Sequence, residues 1–205
     1  MKRLFVALMT CLAFALVVFL PTIRPVEAAS GQSVAAPEDA QPENVVVEAA
    51  YCVSKGGEVV TRKPYYNTNA GEPDWFALSG ERQFCKFTSK ADGSRIHVLL
   101  STLYTDKPSL AALAYYAKVK MGTCEGNPAS CYCSLLGGTD LFGGINLNGG
   151  GWVDKADPID TVLEACILPD MSSIDSWGLA YHSAGIVRGK NLSEVLRYKN
   201  PYGKK

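Results

Sequence analysis

Apolar and polar positions change period along the chain, and each change marks an element. Val46, Val47, Ala50 and Val53 recur at helical spacing, which predicts a helix over 43–54 with these residues as its apolar face, stopped by Gly56-Gly57. Residues 58–66, rich in Val, Thr and Tyr, predict a strand, and a loop with Gly71 and Pro73 follows. A second strand over 83–88, the turn Ala91-Asp92-Gly93-Ser94 and a third strand over 95–104 come next. Leu110, Leu113, Ala114 and Ala117 stripe a helix over 107–121, with Pro108 near its start and Gly122 past its end. Asn127-Pro128 opens another helix that stops at Gly137-Gly138. The chain then passes through glycines at 143–144 and 149–151, a strand over 163–168 and a turn at Pro169-Asp170. Ser173-Ile174-Asp175 opens a helix with Trp177, Leu179 and Tyr181, and a polar tail of 191–205 ends the chain.

These elements occur twice. Tyr51-Cys52 is followed by Gly56-Gly57 and by Cys85, and Tyr132-Cys133 by Gly137-Gly138 and Cys166, every landmark moved by 81 positions. Matched cysteine spacing in two copies predicts one disulfide in each. The expected fold is therefore α+β, with two disulfide-stapled modules, 45–122 and 123–190, each a helix, a small antiparallel sheet and a further helix.

An oxidised framework implies export, and the first residues agree. Met1-Lys2-Arg3 is basic, Leu4 to Leu20 is an apolar run short for a membrane span, and Val26-Glu27-Ala28 offers a cleavage site. We read 1–28 as a cleaved signal peptide, with an uncleaved anchor as the alternative, and 29–44 as a flexible leader. Cleavage removes Cys11, leaving six cysteines in a periplasmic or secreted protein. It also removes Lys2, Arg3, Arg24 and Glu27, leaving 17 basic against 19 acidic residues. A chain near −2 lacks the basic excess of a nucleic-acid binder.

Four separated blocks, Asn127-Pro128-Ala129-Ser130-Cys131-Tyr132-Cys133, Gly137-Gly138-Thr139, Cys166-Ile167-Leu168-Pro169-Asp170 and Ile174-Asp175-Ser176-Trp177, resemble a small bacterial envelope domain of unknown function that opens Asn-Pro-Ala-Ser-x-Tyr-Cys and is often labelled haemolysin. The resemblance covers about 127–182, and the first copy is a degenerate second example. It implies a bridge from the first helix to the hairpin, Cys133–Cys166, hence Cys52–Cys85 by the repeat, with Cys124 and Cys131 left for each other. The family has a small residue or valine where this chain has Cys131, so the third bridge is an addition. Loop entropy gives each long bridge about 3–4 kcal/mol and the short one about 2–3 kcal/mol. The first copy departs from the family in lacking Asn-Pro-Ala-Ser and in having a strand-like 95–104 where the second has the Trp177 helix.

No catalytic set emerges. There is no C-x-x-C, Cys131-Tyr132-Cys133 is not a zinc knuckle, and the glycines of 143–151 lack the lysine of a phosphate loop. Asp154, Asp157, Asp160 and Glu164 do not match a calcium loop and read as a solvated face, with Asp157 capping a turn before Pro158. His97 and His182 do not coincide under the repeat and no G-x-S-x-G surrounds a serine, so both read as structural. Asn191-Leu192-Ser193 matches a glycosylation acceptor, expected to be bare in a bacterium. Tyr65, Tyr66, Trp75, Phe76 and Trp152 fall in the long connectors 63–82 and 139–160 and are the candidate recognition residues. The reading is a non-enzymatic envelope protein, without cofactor or metal, that binds an unidentified protein or glycan. A secreted inhibitor of a protease or lysozyme is the second reading, and an enzyme the third.

Overall fold

The computed structural model describes residues 42–140 and 148–203, all within one compact unit. The expected signal peptide, nearly all of the expected leader and the glycines at 143–144 lie outside the described residues. The element order is α1 (Pro42–Ser54), β1 (Glu58–Tyr66), a 3₁₀ turn (Glu72–Asp74), β2 (Phe76–Ala77), β3 (Arg82–Thr88), β4 (Arg95–Leu99), α2 (Leu100–Tyr104), α3 (Leu110–Ala117), α4 (Pro128–Leu135), β5 (Gly150–Val153), β6 (Val162–Leu163), β7 (Ala165–Ile167), β8 (Ser173–Asp175), α5 (Ser176–Ser183) and α6 (Leu192–Val195). Among the described residues no helix is long and apolar enough to cross a membrane.

The chain is α+β, but its halves do not fold as separate modules. One antiparallel sheet runs β6-β5-β1-β3-β4-β8-β7, with β2 added to β1, so that the first half's strands β1, β3 and β4 lie between β5 and β8 of the second half. Its two end strands, β6 and β7, are joined by Glu164 alone, so the sheet bends round almost into a closed barrel. The halves meet where β4 pairs with β8 at Val98 and Ile174. Val98 also faces Cys85 and Ile174 faces Cys166, giving a row Cys85, Val98, Ile174, Cys166 across four strands, all fully buried. Equivalent positions meeting each other is the geometry of a two-fold contact. A short helix follows directly on each central strand, α2 on β4 and α5 on β8, and packs on the first helix of its own half.

The disulfides join Cys52 to Cys85, Cys133 to Cys166 and Cys124 to Cys131. They explain the glycine pairs. Gly56 (φ 82°) and Gly137 (φ 78°) leave the helix in the left-handed region, which a Cβ disfavours. Gly57 and Gly138 instead lie against the bridges. A Cβ on Gly138 would stand 2.6 Å from the Cys166 sulfur and 2.9 Å from that of Cys133, and one on Gly57 would meet the sulfurs of Cys85 and Cys52. Gly138→Ala is expected to cost about 1–3 kcal/mol through this overpacking, read as a fall in the urea midpoint, while Gly122→Ala, with open space around it, leaves the midpoint within about 0.5 kcal/mol.

Several elements differ from expectation. The apolar set Val46, Val47, Ala50 and Val53 faces solvent, because Cys52 fixes the inward side of α1 and brings Ala49 and Tyr51 onto the core. The third helix is shorter, from its cap Ser109 to Lys118 in the left-handed region. The segment 95–104 is a strand and then a helix, so the first half does possess a counterpart of the Trp177 helix. Ser173 to Asp175 is a strand before that helix, held between Val98 and Cys166. The tail is not polar padding: Leu192, Val195 and Leu196 are buried in the main core. Asn191 caps α6, its Oδ1 accepting from the Ser193 amide at 3.1 Å.

Candidate functional site

A cleft of about 590 Å³ lies beside the β4–β8 junction. The β3–β4 turn contributes Asp92 and Ser94, and β4 contributes Arg95 and His97. Asp160, Val162, Leu163 and Glu164 come from the segment through β6, and Asp175, Trp177 and Tyr181 from the start and outer face of α5. Ile186 and Arg188 close it from the segment after α5. That segment is tied to the turn by the Gly189 amide, which donates to the Ser94 hydroxyl at 3.0 Å.

One wall is braced by a buried network centred on Arg62. This side chain is fully buried in β1 and donates to the Trp152 carbonyl at 3.2 Å, the Asp160 carbonyl at 2.6 Å, Asp157 Oδ2 at 3.1 Å and His97 Nε2 at 3.3 Å. Because a guanidinium only donates, His97 accepts through Nε2 and carries its proton on Nδ1. Burial, then the charges of Arg62 and Lys86, push the imidazole down to about 3, so it is neutral. Asp157 does cap the turn, Oδ1 accepting from the amides of Ile159 and Asp160 at 3.1 and 3.0 Å, but it is buried and not part of a solvated face. Burial alone would raise its pKa. Those two amides, with Lys86 and Arg62, outweigh burial and hold it at about 2. His97, Asp157 and Asp160 offer ligand atoms within 4.8 Å of one another, a spacing that fits a metal. Arg62, Lys86 at 3.6 Å and Arg95 at 3.6 Å already supply Asp157 with positive charge, and Arg95 pairs with Asp160 at 3.0 Å, so the group is an ion-pair brace.

The opposite wall is built by residues of the Asn-Pro-Ala-Ser resemblance. Asn127 caps α4, Oδ1 accepting from the Ala129 amide at 2.9 Å, while its Nδ2 donates to both oxygens of Glu164 at 3.1 and 3.0 Å. Burial raises the Glu164 pKa, opposed by Asn127 and reinforced by the charge of Asp140. The Trp177 side chain also faces this carboxyl group and favours its charged form. Asp175, wholly inside the protein, caps α5 through Gly178 and accepts from the His97 amide at 2.7 Å. Burial pushes it up to about 6 despite these bonds. Trp177 and Tyr181, one helical turn apart, tilt towards each other with ring centroids 5.8 Å apart, and the Arg188 guanidinium lies 5.3 Å over the Tyr181 ring. The cleft thus offers two adjoining aromatic rings, inclined by 32° to each other, flanked by carboxylates and guanidinium groups.

The expected recognition aromatics do not converge here. Trp152 is buried and packs edge-on against Phe84 at 5.9 Å, a core residue and not a contact surface. Tyr65 packs edge-on against Trp75, whose Nε1 donates to the Ala70 carbonyl at 2.9 Å, so this pair stiffens its own loop. Tyr66 accepts from Asn148 at 2.7 Å. Phe76 alone of the set is largely exposed. His182 is stacked on Tyr115 in the core. Arg95, Trp177, Tyr181 and Arg188 were not singled out by sequence reasoning, although Trp177 lies inside the resembling blocks. Compared with models of known protein families, with characterised proteins and with solved structures, the chain matches none.

Proposed function

We propose that this is an exported, non-enzymatic binding protein of the bacterial cell envelope, and that its ligand is a glycan seated in the α5 cleft. The observation that carries the reading is the composition of that cleft: the Trp177–Tyr181 pair with Glu164, Asp160, Arg95 and Arg188 around it. A pyranose presents an apolar C–H face and a rim of hydroxyl groups. An aromatic ring covers the first, and fixed planar donors and acceptors pair with the second. Three bridges and the Arg62 brace hold these side chains in place before binding, which reduces the entropy lost on association. The resemblance of 127–182 to an envelope domain supports the compartment.

Binding of soluble peptidoglycan fragments is the test, measured by calorimetry. Trp177→Ala is expected to weaken binding at least about tenfold, while Phe76→Ala leaves it unchanged. The inhibitor reading predicts the reverse. It is favoured by one feature, the stiffened loop that exposes Phe76 and Leu78, and loss of hydrolase binding in Phe76→Ala would establish it in place of the glycan.

A further inference from the structure

The Cys124–Cys131 bridge differs from the other two in position. Cys52, Cys85, Cys133 and Cys166 are each fully buried, whereas Cys124 and Cys131 are both partly exposed. The bridge encloses Asn127. The Cys124 sulfur lies 3.7 Å from the Asn127 carbonyl oxygen and the Cys131 sulfur 3.7 Å from that of Glu125. Upstream, 119–126 makes no backbone hydrogen bond with another described residue, and most of it is exposed. Met121 packs against the main core, and beyond it the bridge is the covalent tie on the approach to Asn127, the residue that holds both oxygens of Glu164 in the cleft.

We propose that Cys124–Cys131 is a thiol–disulfide exchange site that controls the cleft through Asn127 and Glu164. The reactant is a dithiol, such as an exported dithiol oxidoreductase. One of its thiolates attacks a sulfur of the bridge along the S–S axis, forms a mixed disulfide and releases the other cysteine as a thiolate. The second thiol of the dithiol then displaces the attached cysteine. The dithiol ends as a disulfide, two electrons and two protons having passed to Cys124 and Cys131. The four buried sulfurs cannot be approached in this way while the fold is intact. Reduction unties the segment before α4, the Asn127 amide leaves Glu164, and a half-buried carboxylate loses its only neutral side-chain amide partner among the described residues. That this alters binding rests on the glycan reading; that it moves Glu164 and Trp177 does not.

The experiment uses the full exported chain, dithiothreitol as the dithiol and alkylation with mass spectrometry to follow each bridge, with the three indole N–H signals recorded by NMR. Cys124 and Cys131 are expected to be alkylated first, at least roughly tenfold faster than the others. As they open, the Trp177 indole signal shifts while those of Trp75 and Trp152 stay. The Cys124→Ser/Cys131→Ser double variant reproduces the shift without reductant. Asn127→Ser, which keeps a helix cap but not the amide, moves the same signal with all bridges intact. Opening of the three bridges together would overturn the proposal, and so would early opening of Cys124–Cys131 with an unmoved Trp177 signal. If Trp177 responds and peptidoglycan fragments do not bind, the switch stands and the glycan reading falls.

Discussion

Arg62→Ala is expected to destabilise the protein by about 3–5 kcal/mol, with a fall in Tm of roughly 10 °C. The guanidinium is fully buried and joins β1 to the Asp157 turn, the Trp152 carbonyl and His97. Its removal leaves the buried Asp157 with its two capping amides but, as charge partners, only the longer contacts to Lys86 and Arg95. It also empties the space of a long side chain, so two costs add. Asp157→Asn in the Arg62→Ala background should recover part of the loss, because the uncompensated charge is gone while the amide oxygen still caps the turn. Chemical denaturation of the three variants measures this. A loss below about 1 kcal/mol for Arg62→Ala would mean that the network is solvated and does not brace the cleft.

Stability should fall as pH drops from about 6.5 towards 3, and two substitutions should change the slope in opposite directions. Burial holds His97 down at about 3 and His182 at about 4, so the unfolded chain takes up these protons first, starting near the ordinary imidazole value of 6.5. Folded pKa values below the unfolded ones give stability that is lost on acidification. Asp175 has the opposite sign. Its carboxyl is pushed up to about 6, so the folded state takes up its proton first and gains stability as pH falls from about 6 towards the unfolded value of 3.8. Between pH 6 and 4 two imidazoles oppose one carboxyl. Glu164 and Asp140, whose pKa values burial also raises, add to the carboxyl side, so the net is at most one proton, about 1.4 kcal/mol lost per pH unit. His97→Gln, which still offers Arg62 an acceptor, should flatten the profile in that window. Asp175→Asn, which keeps the α5 cap, should steepen it by up to one proton, about 1.4 kcal/mol per pH unit. Urea midpoints measured from pH 7 to 4 decide the matter. A His97→Gln profile as steep as that of the wild type would contradict the assignment of a neutral, buried His97.

What could be read from the sequence was what is local in it. A helix, a glycine pair and a strand bearing the second cysteine lie within about forty residues, and the disulfide demands them in that order, so both copies were visible from Tyr51 to Cys85 and from Tyr132 to Cys166. The joining of the copies was not. Val98 and Ile174 meet because the strands bearing them follow hairpins of different length, which an offset of 81 positions conceals. The cleft was hidden for the same reason: Arg95, Glu164, Trp177 and Arg188 converge only once β4 has paired with β8. The inward face of α1 was misjudged because Val46, Val47, Ala50 and Val53 have helical spacing too, and only the place of Cys52 decides which side is buried. Aromatic content in a connector did not separate Trp152, which closes a core, from Trp177, which lines an opening.

The most direct test of the central claim is a titration of the isotopically labelled protein, residues 29–205, with peptidoglycan fragments, followed by backbone and indole amide shifts. The account predicts that the changes cluster on Arg95, Glu164, Trp177, Tyr181 and Arg188, with the Trp177 indole among the largest. Shifts confined to the Phe76–Leu78 loop, or no shifts at any soluble concentration, would contradict it.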